Sequence, residues 1–260
     1  MILPLDPVYV ISGLAVGLLV GLTGVGGGSL MTPLLVLAFG VHPSTAVGTD
    51  LIYAAATKSV GAGVHSSRGS VDWRVVGWLS LGSLPAATMT LLVLGRHAAH
   101  LNDRHGPISE TLGVALIVTA LAILFRPALL AATRRAPLRL SARATAAATV
   151  LLGVALGVLV SVSSVGAGAI GMTVLLALYP ALPVKRLVGS DIAHAVPLTL
   201  ISGIGHWLSG TVDVGLLVSL LAGSVPGIVV GSLLSARAPE AVLRPILAST
   251  LALAGGRLLF

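Results

Sequence analysis

Cysteine is absent from the 260 residues. Disulfides, thiolate metal ligands and cysteine nucleophiles are therefore excluded, and compartment is left open. Charge is scarce as well. Asp, Glu, Lys and Arg make up 9% of the chain, where a soluble domain carries roughly 25%. Aromatics are 3% and hydrophobic residues 56%. The first figure removes the basic aromatic surface that nucleic acid needs. The second rules out both a disordered chain and an ordinary water-soluble globule. The signatures of common enzymes are missing: there is no H-E-x-x-H, no G-x-x-x-x-G-K-[ST] and no G-x-S-x-G. GVGG at 24–27 sits between apolar segments and not after a strand, so it is no dinucleotide fingerprint. His97, His100 and His105 read as a solvated loop cluster and not as a metal centre. No catalytic residue, metal or cofactor is assigned, and the chain reads as no enzyme.

What the sequence does hold is a series of apolar segments, at about 8–23, 29–40, 44–66, 73–95, 108–125, 143–163, 169–180, 184–206, 213–236 and 240–259. About 20 such residues make one spanning helix, so the expected fold is an all-α polytopic membrane protein. Net charge is +7, from 15 Lys and Arg against 8 Asp and Glu, which fits basic loops facing an anionic cytoplasmic leaflet. The start of the chain lacks a basic n-region and reads as a retained first helix.

Two pairs of segments are unusual. Glycine-rich breaks at 24–28 and 164–168 separate 8–23 from 29–40 and 143–163 from 169–180. Glycine clusters interrupt helices, and the second member of each pair, about 12 residues or about 18 Å, is too short for a hydrocarbon core of about 30 Å. The breaks belong to an internal repeat. A shift of 140 places Gly17, Val20, Val25, Gly26, Gly28 and Pro43 on Gly157, Val160, Val165, Gly166, Gly168 and Pro183. A shift of 141 then aligns 48–96 with 189–237 without a gap, with 13 of 49 positions identical, among them Asp50/Asp191, His65/His206, Asp72/Asp213 and Pro85/Pro226. Chance similarity of apolar helices matches Leu and Val, not Asp, His and Pro in one register. The expected organisation is membrane repeat 1 over 1–125, a basic cytoplasmic connecting loop over 126–142, and membrane repeat 2 over 143–260, together one transmembrane domain.

Basic residues set the topology. If each glycine-broken pair is a re-entrant hairpin, one side collects 11 basic residues, including Arg68, Arg74, Lys185 and Arg186, and the other collects Arg96, Arg104 and Arg257. If each pair is one kinked spanning helix, the counts fall to 8 against 6. The positive-inside rule favours the hairpins. Each half then crosses about three times, the halves are inverted, and both termini lie outside the cytoplasm.

Inverted halves with broken helices are a transporter architecture. A glycine break leaves backbone N–H groups at the start of the following half-helix unpaired, and these favour an anion. The substrate-binding candidates are Gly26, Gly27, Gly28 and Ser29 in the first half, and Ser163, Ser164, Gly166, Ala167 and Gly168 in the second. Close packing through small residues is the competing reading. Lys58 is an intramembrane cation eight residues after Asp50, about 12 Å along the helix. It reads either as a substrate-attracting group or as a structural partner. Asp50 and Asp191 either stabilise a helix start or carry a coupling proton or cation. His194, three residues after Asp191, shares its face and completes the coupling set. Asp72 and Asp213 read as helix caps, His65 and His206 as interface residues. Gly77, Gly82 and Gly223 suit either a homodimer contact or packing within one chain.

These motifs carry a resemblance. The run GLTGVGGGS from Gly21 to Ser29 with Pro33, then Pro43 and Ala46 to Asp50 (AVGTD), resembles the TauE/SafE sulfite exporter family. The second copy, Ser164 to Gly168 (SVGAG) and Val188 to Asp191 (VGSD), follows the same pattern with Ala167 in place of a glycine. The resemblance covers nearly the whole chain. It implies integral-membrane export of sulfite, sulfoacetate or other organosulfonates, with protons as coupling ion. The expected protein is thus an inner-membrane secondary transporter working by alternating access, with a small anion, protons and the bilayer as partners. An anion channel and a carboxylate transporter remain alternatives.

Overall fold

The computed structural model describes residues 5–23, 28–67, 69–96, 107–135, 140–234 and 240–259. Among them helix is the only regular structure: α1 (Pro7–Thr23), α2 (Gly28–Leu37), α3 (Pro43–Ser67), α4 (Trp73–Arg96), α5 (Pro107–Arg135), α6 (Ala142–Ser163), α7 (Met172–Leu178), α8 (Val184–Leu208), α9 (Val214–Leu234) and α10 (Glu240–Leu259). A π-helical turn, Ala167–Gly171, leads into α7. Four of the described helices, α4, α6, α8 and the Val214–Gly231 part of α9, are long and apolar enough to cross a membrane.

Local sequence explains where the helices start and stop. Proline opens α1, α3 and α5, where its missing N–H costs nothing. Asp72 Oδ1 accepts from the N–H groups of Arg74 (3.1 Å) and Val75 (3.4 Å), and Asp213 Oδ1 from that of Leu216 (2.9 Å). Both acids therefore cap the helices that follow them. The turn before each cap is the same in both halves, with Gly69 at φ +62° and Gly210 at φ +72°, a conformation that glycine adopts without strain. One boundary differs from expectation. The expected connecting loop begins at 126, but α5 runs through Arg135 with Pro127 inside it.

The two halves pack by exchange. α1 lies along α9 and α4 along α6, while α3 meets α8 and α5 meets α10. Equivalent glycines make these contacts. A Cβ on Gly13 or Gly17 would run into the backbone of Leu220 or Ser224, and a Cβ on Gly153 or Gly157 into that of Leu79 or Ser83. Gly223 meets Val10 and Leu14 as Gly82 meets Val150 and Val154. Every one of these pairs maps onto its counterpart through the repeat. Gly82 and Gly223 are thus used within the chain, whereas Gly77 has nothing near it. α3 and α8 run in opposite directions, since Gly203 packs on Ile52 and Gly61 faces Ile192. Apolar cores lie on both sides of this central pair. One is built on Leu79, Leu116, Leu156 and Leu175, the other on Met31, Leu35, Tyr53 and Leu220. The outer faces stay apolar, with Leu92, Leu151 and Leu253 each more than half exposed, as lipid contact requires.

Candidate functional site

Among the described residues, the central α3/α8 pair carries the buried ionisable side chains. Asp50 lies in the second to third turn of α3, eight positions into a helix that begins at Pro43, and Asp191 occupies the matching place in α8. Neither sits at a helix start, so the capping reading of these two acids does not fit. Asp50 has no exposed surface. Its Oδ2 accepts a hydrogen bond from the Thr32 hydroxyl of α2 at 2.6 Å. Ser164, at the break after α6, interacts with Asp50, although among the described residues Asp50 Oδ1 and Ser164 Oγ make no hydrogen bond of standard geometry.

Lys58 is 8% exposed and interacts electrostatically with Asp191 first and Asp50 second. It also faces His194. His194 is fully buried and its Nε2 hydrogen-bonds Ser83 Oγ at 2.7 Å, leaving Nδ1 without a partner among the described residues. The position equivalent to His194 is Tyr53, and the one equivalent to Ser83 is Ser224. Those two also meet, at 2.6 Å. The same polar contact is thus made twice with different chemistry. A third repeated pair ties the site to the neighbouring helix starts: Ser190 Oγ accepts from the N–H of Asp72 (2.8 Å) and Thr49 Oγ1 from that of Asp213 (3.1 Å).

The second break has a defined geometry. α6 ends at Ser163, and Ser164 takes a left-handed conformation (φ 57°) with its N–H returning to the Val160 carbonyl at 2.8 Å. Gly166 has φ +111°. Ala167 and Gly168 open the π-helical turn, so their N–H groups head the short half-helix. The Ser163 hydroxyl is engaged in the break itself, lying 2.8 Å from the Leu159 carbonyl, 3.1 Å from that of Val165 and 3.2 Å from the Val165 N–H. In the first half, Gly28 begins α2 and Ser29 follows in its first turn, while Gly26 and Gly27 lie outside the described residues. His206 is an inter-helix residue, with Nε2 on the Ser161 carbonyl (2.9 Å) and Nδ1 on Thr211 (3.0 Å). Among the described residues no group of three or more His, Cys, Asp or Glu is placed to hold a metal ion. The structure thus brings Asp50, Lys58, Ser164, Asp191 and His194 together. Thr32 and Ser83 are contacts that the sequence reading did not single out. The signal for Ser83 was present, because it is one of the identities within the repeat.

The profile of the Sulfite exporter TauE/SafE family matches residues 9–258. The chain belongs to the TauE/SafE family. It is 36% identical over 253 residues to "Probable membrane transporter protein YjnA" of Bacillus subtilis (strain 168), covering 96% of this chain and 98% of that protein. It is 31% identical over 251 residues to "Probable membrane transporter protein YdhB" of the same organism, covering 94% and 96%. No solved structure matches. This TauE/SafE protein is therefore a multi-pass membrane transporter and not an enzyme.

Proposed function

We propose that this transporter is a secondary carrier that moves a small sulfur-containing anion, such as sulfite, sulfoacetate or another organosulfonate, across the bacterial inner (plasma) membrane. It works by alternating access with protons as coupling ion. The observation that carries this reading is Lys58: a buried cation on the central α3/α8 pair that interacts electrostatically with Asp50 of its own helix and with Asp191 of the repeated one. Ionisable groups are costly at such depth and are kept there for ion or substrate pathways. The family's name, sulfite exporter, supports a sulfur-containing anion as substrate.

The antiparallel direction of α3 and α8 supports inverted halves. Suppose successive helices alternate in direction from α3 onward. A continuous kinked α6–α7 would then return α8 parallel to α3. A reversal at the Ser164–Gly168 break makes α8 antiparallel, as found. On this reading the anion lies between the two breaks. It is held by the N–H groups of Gly26, Gly27 and Gly28 with Ser29, and by those of Gly166, Ala167 and Gly168 with the Ser164 hydroxyl. Lys58 supplies the charge. Ser163 holds the shape of the break. Asp50, Asp191 and His194 carry the coupling, and rocking of one half against the other exposes the site alternately.

The test is flux of sulfite, sulfoacetate and sulfate into proteoliposomes, with and without an imposed pH gradient, for the wild type and for Gly27→Leu and Lys58→Met. Saturable sulfur-anion flux that follows the gradient and is lost in both folded variants is the expected result. Normal flux in both variants overturns the site. Flux that neither saturates nor shows counterflow indicates a channel built on the same donors.

A further inference from the structure

We infer that Ser83 is a positioning residue for His194: its hydroxyl donates to Nε2 and holds the ring proton on Nδ1. The role this gives Ser83 rests on the coupling reading of His194 above, whereas the placement of the proton does not.

Ser83 and His194 are both without exposed surface. Hydroxyls in these helices commonly return to the carbonyl four residues back, as Ser59 does to Ala55 (2.7 Å) and Ser219 to Gly215 (2.8 Å). Ser83 does not. Among the described residues its only hydrogen bond is with His194 Nε2, at 2.7 Å, and Nδ1 makes none. A neutral imidazole has one N–H and one acceptor nitrogen. With the proton on Nε2, the Ser83 O–H and the Nδ1 lone pair would both be buried without a partner. With the proton on Nδ1, only that N–H is. Each unpaired buried group is costly, so the second arrangement is favoured. His206, further along α8, is the opposite case. Its Nε2 meets the Ser161 carbonyl at 2.9 Å. A carbonyl only accepts, so there Nε2 holds the proton.

Packing keeps Ser83 at its post. A Cβ on Gly157 would run into the Ser83 carbonyl, and one on Gly153 would crowd its amide nitrogen. Ser83 is thereby pressed against α6, the helix that leads into the second break. The first half repeats the arrangement, with Gly17 closing on Ser224 and Ser224 meeting Tyr53 at 2.6 Å. A tyrosine has no basic ring nitrogen, so only the second half has a proton acceptor at this place. With Nδ1 carrying the ring proton, Nε2 is the basic nitrogen. Protonation adds a proton to its lone pair and breaks no other bond. The Ser83 hydroxyl turns from donor to acceptor, since it carries both functions. Release reverses both changes. The elements packed against α8 leave few charges beside the ring. Lys58 faces it from α3, which also carries Asp50, Tyr53 and His65. Asp191 precedes it by one turn on α8. α4 has ionisable side chains only at its ends, Arg74 and Arg96, and α6 only Arg143 near its start. The π-helical turn and α7 have none.

The experiment is nitrogen NMR of the full-length protein in lipid, with the histidine ring nitrogens isotopically labelled, at alkaline pH where an imidazole is neutral. His194→Gln identifies the His194 signals by their loss, and His206 is the reference for a protonated Nε2. The expected result is a His194 proton on Nδ1 in the wild type and in Ser224→Ala. Ser83→Ala moves the Nδ1–H to Nε2–H ratio about fivefold toward Nε2, the factor one neutral hydrogen bond supplies. Ser83→Thr, which keeps the hydroxyl, restores the ratio. A wild-type proton on Nε2 overturns the inference, as does an unchanged ratio in Ser83→Ala. Should Ser83→Ala fail to fold, the wild-type spectrum decides alone. Gradient-driven sulfite flux tests the role. Ser83→Ala displaces its pH profile toward lower pH by about one unit, because the protonated ring loses its acceptor. Ser224→Ala loses the matching contact and leaves the profile in place. Equal displacement in both variants overturns the positioning role. Wild-type flux that ignores the pH gradient refutes the coupling reading and the role with it, while the spectrum still decides where the proton sits.

Discussion

At the scale of single residues, the ionisable groups were the legible part of the site. Asp50, Lys58, Asp191 and His194 stand out in apolar segments because burying them is costly, and the structure gathers them on one helix pair. The hydroxyls that support them were not legible. Serine and threonine are common in membrane helices and bond back to their own backbone, as Thr199 does to Ala195 at 2.8 Å. Nothing in the sequence therefore separates Thr32 from its neighbours. The structure separates it by its bond to a buried carboxylate. Hydrogen bonds to charged groups are worth about 1.5–3 kcal/mol and neutral ones about 0.5–1.5 kcal/mol. Thr32→Val is accordingly expected to cost about twice what Tyr53→Phe costs when it breaks the neutral contact with Ser224, read as the loss of thermal stability in detergent. Equal losses would mean that the Thr32 contact is not one to an ionised group.

At the scale of helices, the repeat located the breaks and the caps in the sequence, and the described elements carry both caps and the second break. Asp72 and Asp213 cap α4 and α9, and the chain leaves α6 through Ser164 and Gly166. Periodicity could not tell which small residues pack. Gly77, Gly82 and Gly223 look alike in sequence, yet in the structure only the last two of these three touch another helix's backbone. Whether a glycine faces protein or lipid depends on which helix lies beside it. That is a long-range fact, set here by the exchange of α1 and α6 between the halves. Gly82→Ala and Gly223→Ala are predicted to destabilise by similar amounts, about 1–3 kcal/mol each, because a methyl group would press on a carbonyl that cannot move aside. Gly77→Ala, with open space around it, is predicted to be neutral or to stabilise by up to about 1 kcal/mol through helix propensity. Melting temperatures of the three variants check this, and a Gly82/Gly223 difference larger than that range would show the two contacts to be unequal.

At the scale of the whole molecule, the account depends on inversion: two copies of one five-helix unit, opposed across the membrane, with their broken helices meeting the same central pair. The exchanged packing and the antiparallel α3 and α8 support it from contacts alone, and the distribution of basic residues supports it from the sequence. Trp73 and Val214 are equivalent positions at the starts of α4 and α9, and both are exposed. Because the chain has no cysteine, Trp73→Cys and Val214→Cys each introduce a single reactive thiol. The most direct test is labelling of these two variants in intact cells with a membrane-impermeant maleimide, before and after permeabilisation. Inversion predicts that Val214→Cys reacts in intact cells and Trp73→Cys only after permeabilisation. Labelling of both from the same side would contradict inverted halves, and with them the alternating-access reading built on their opposition.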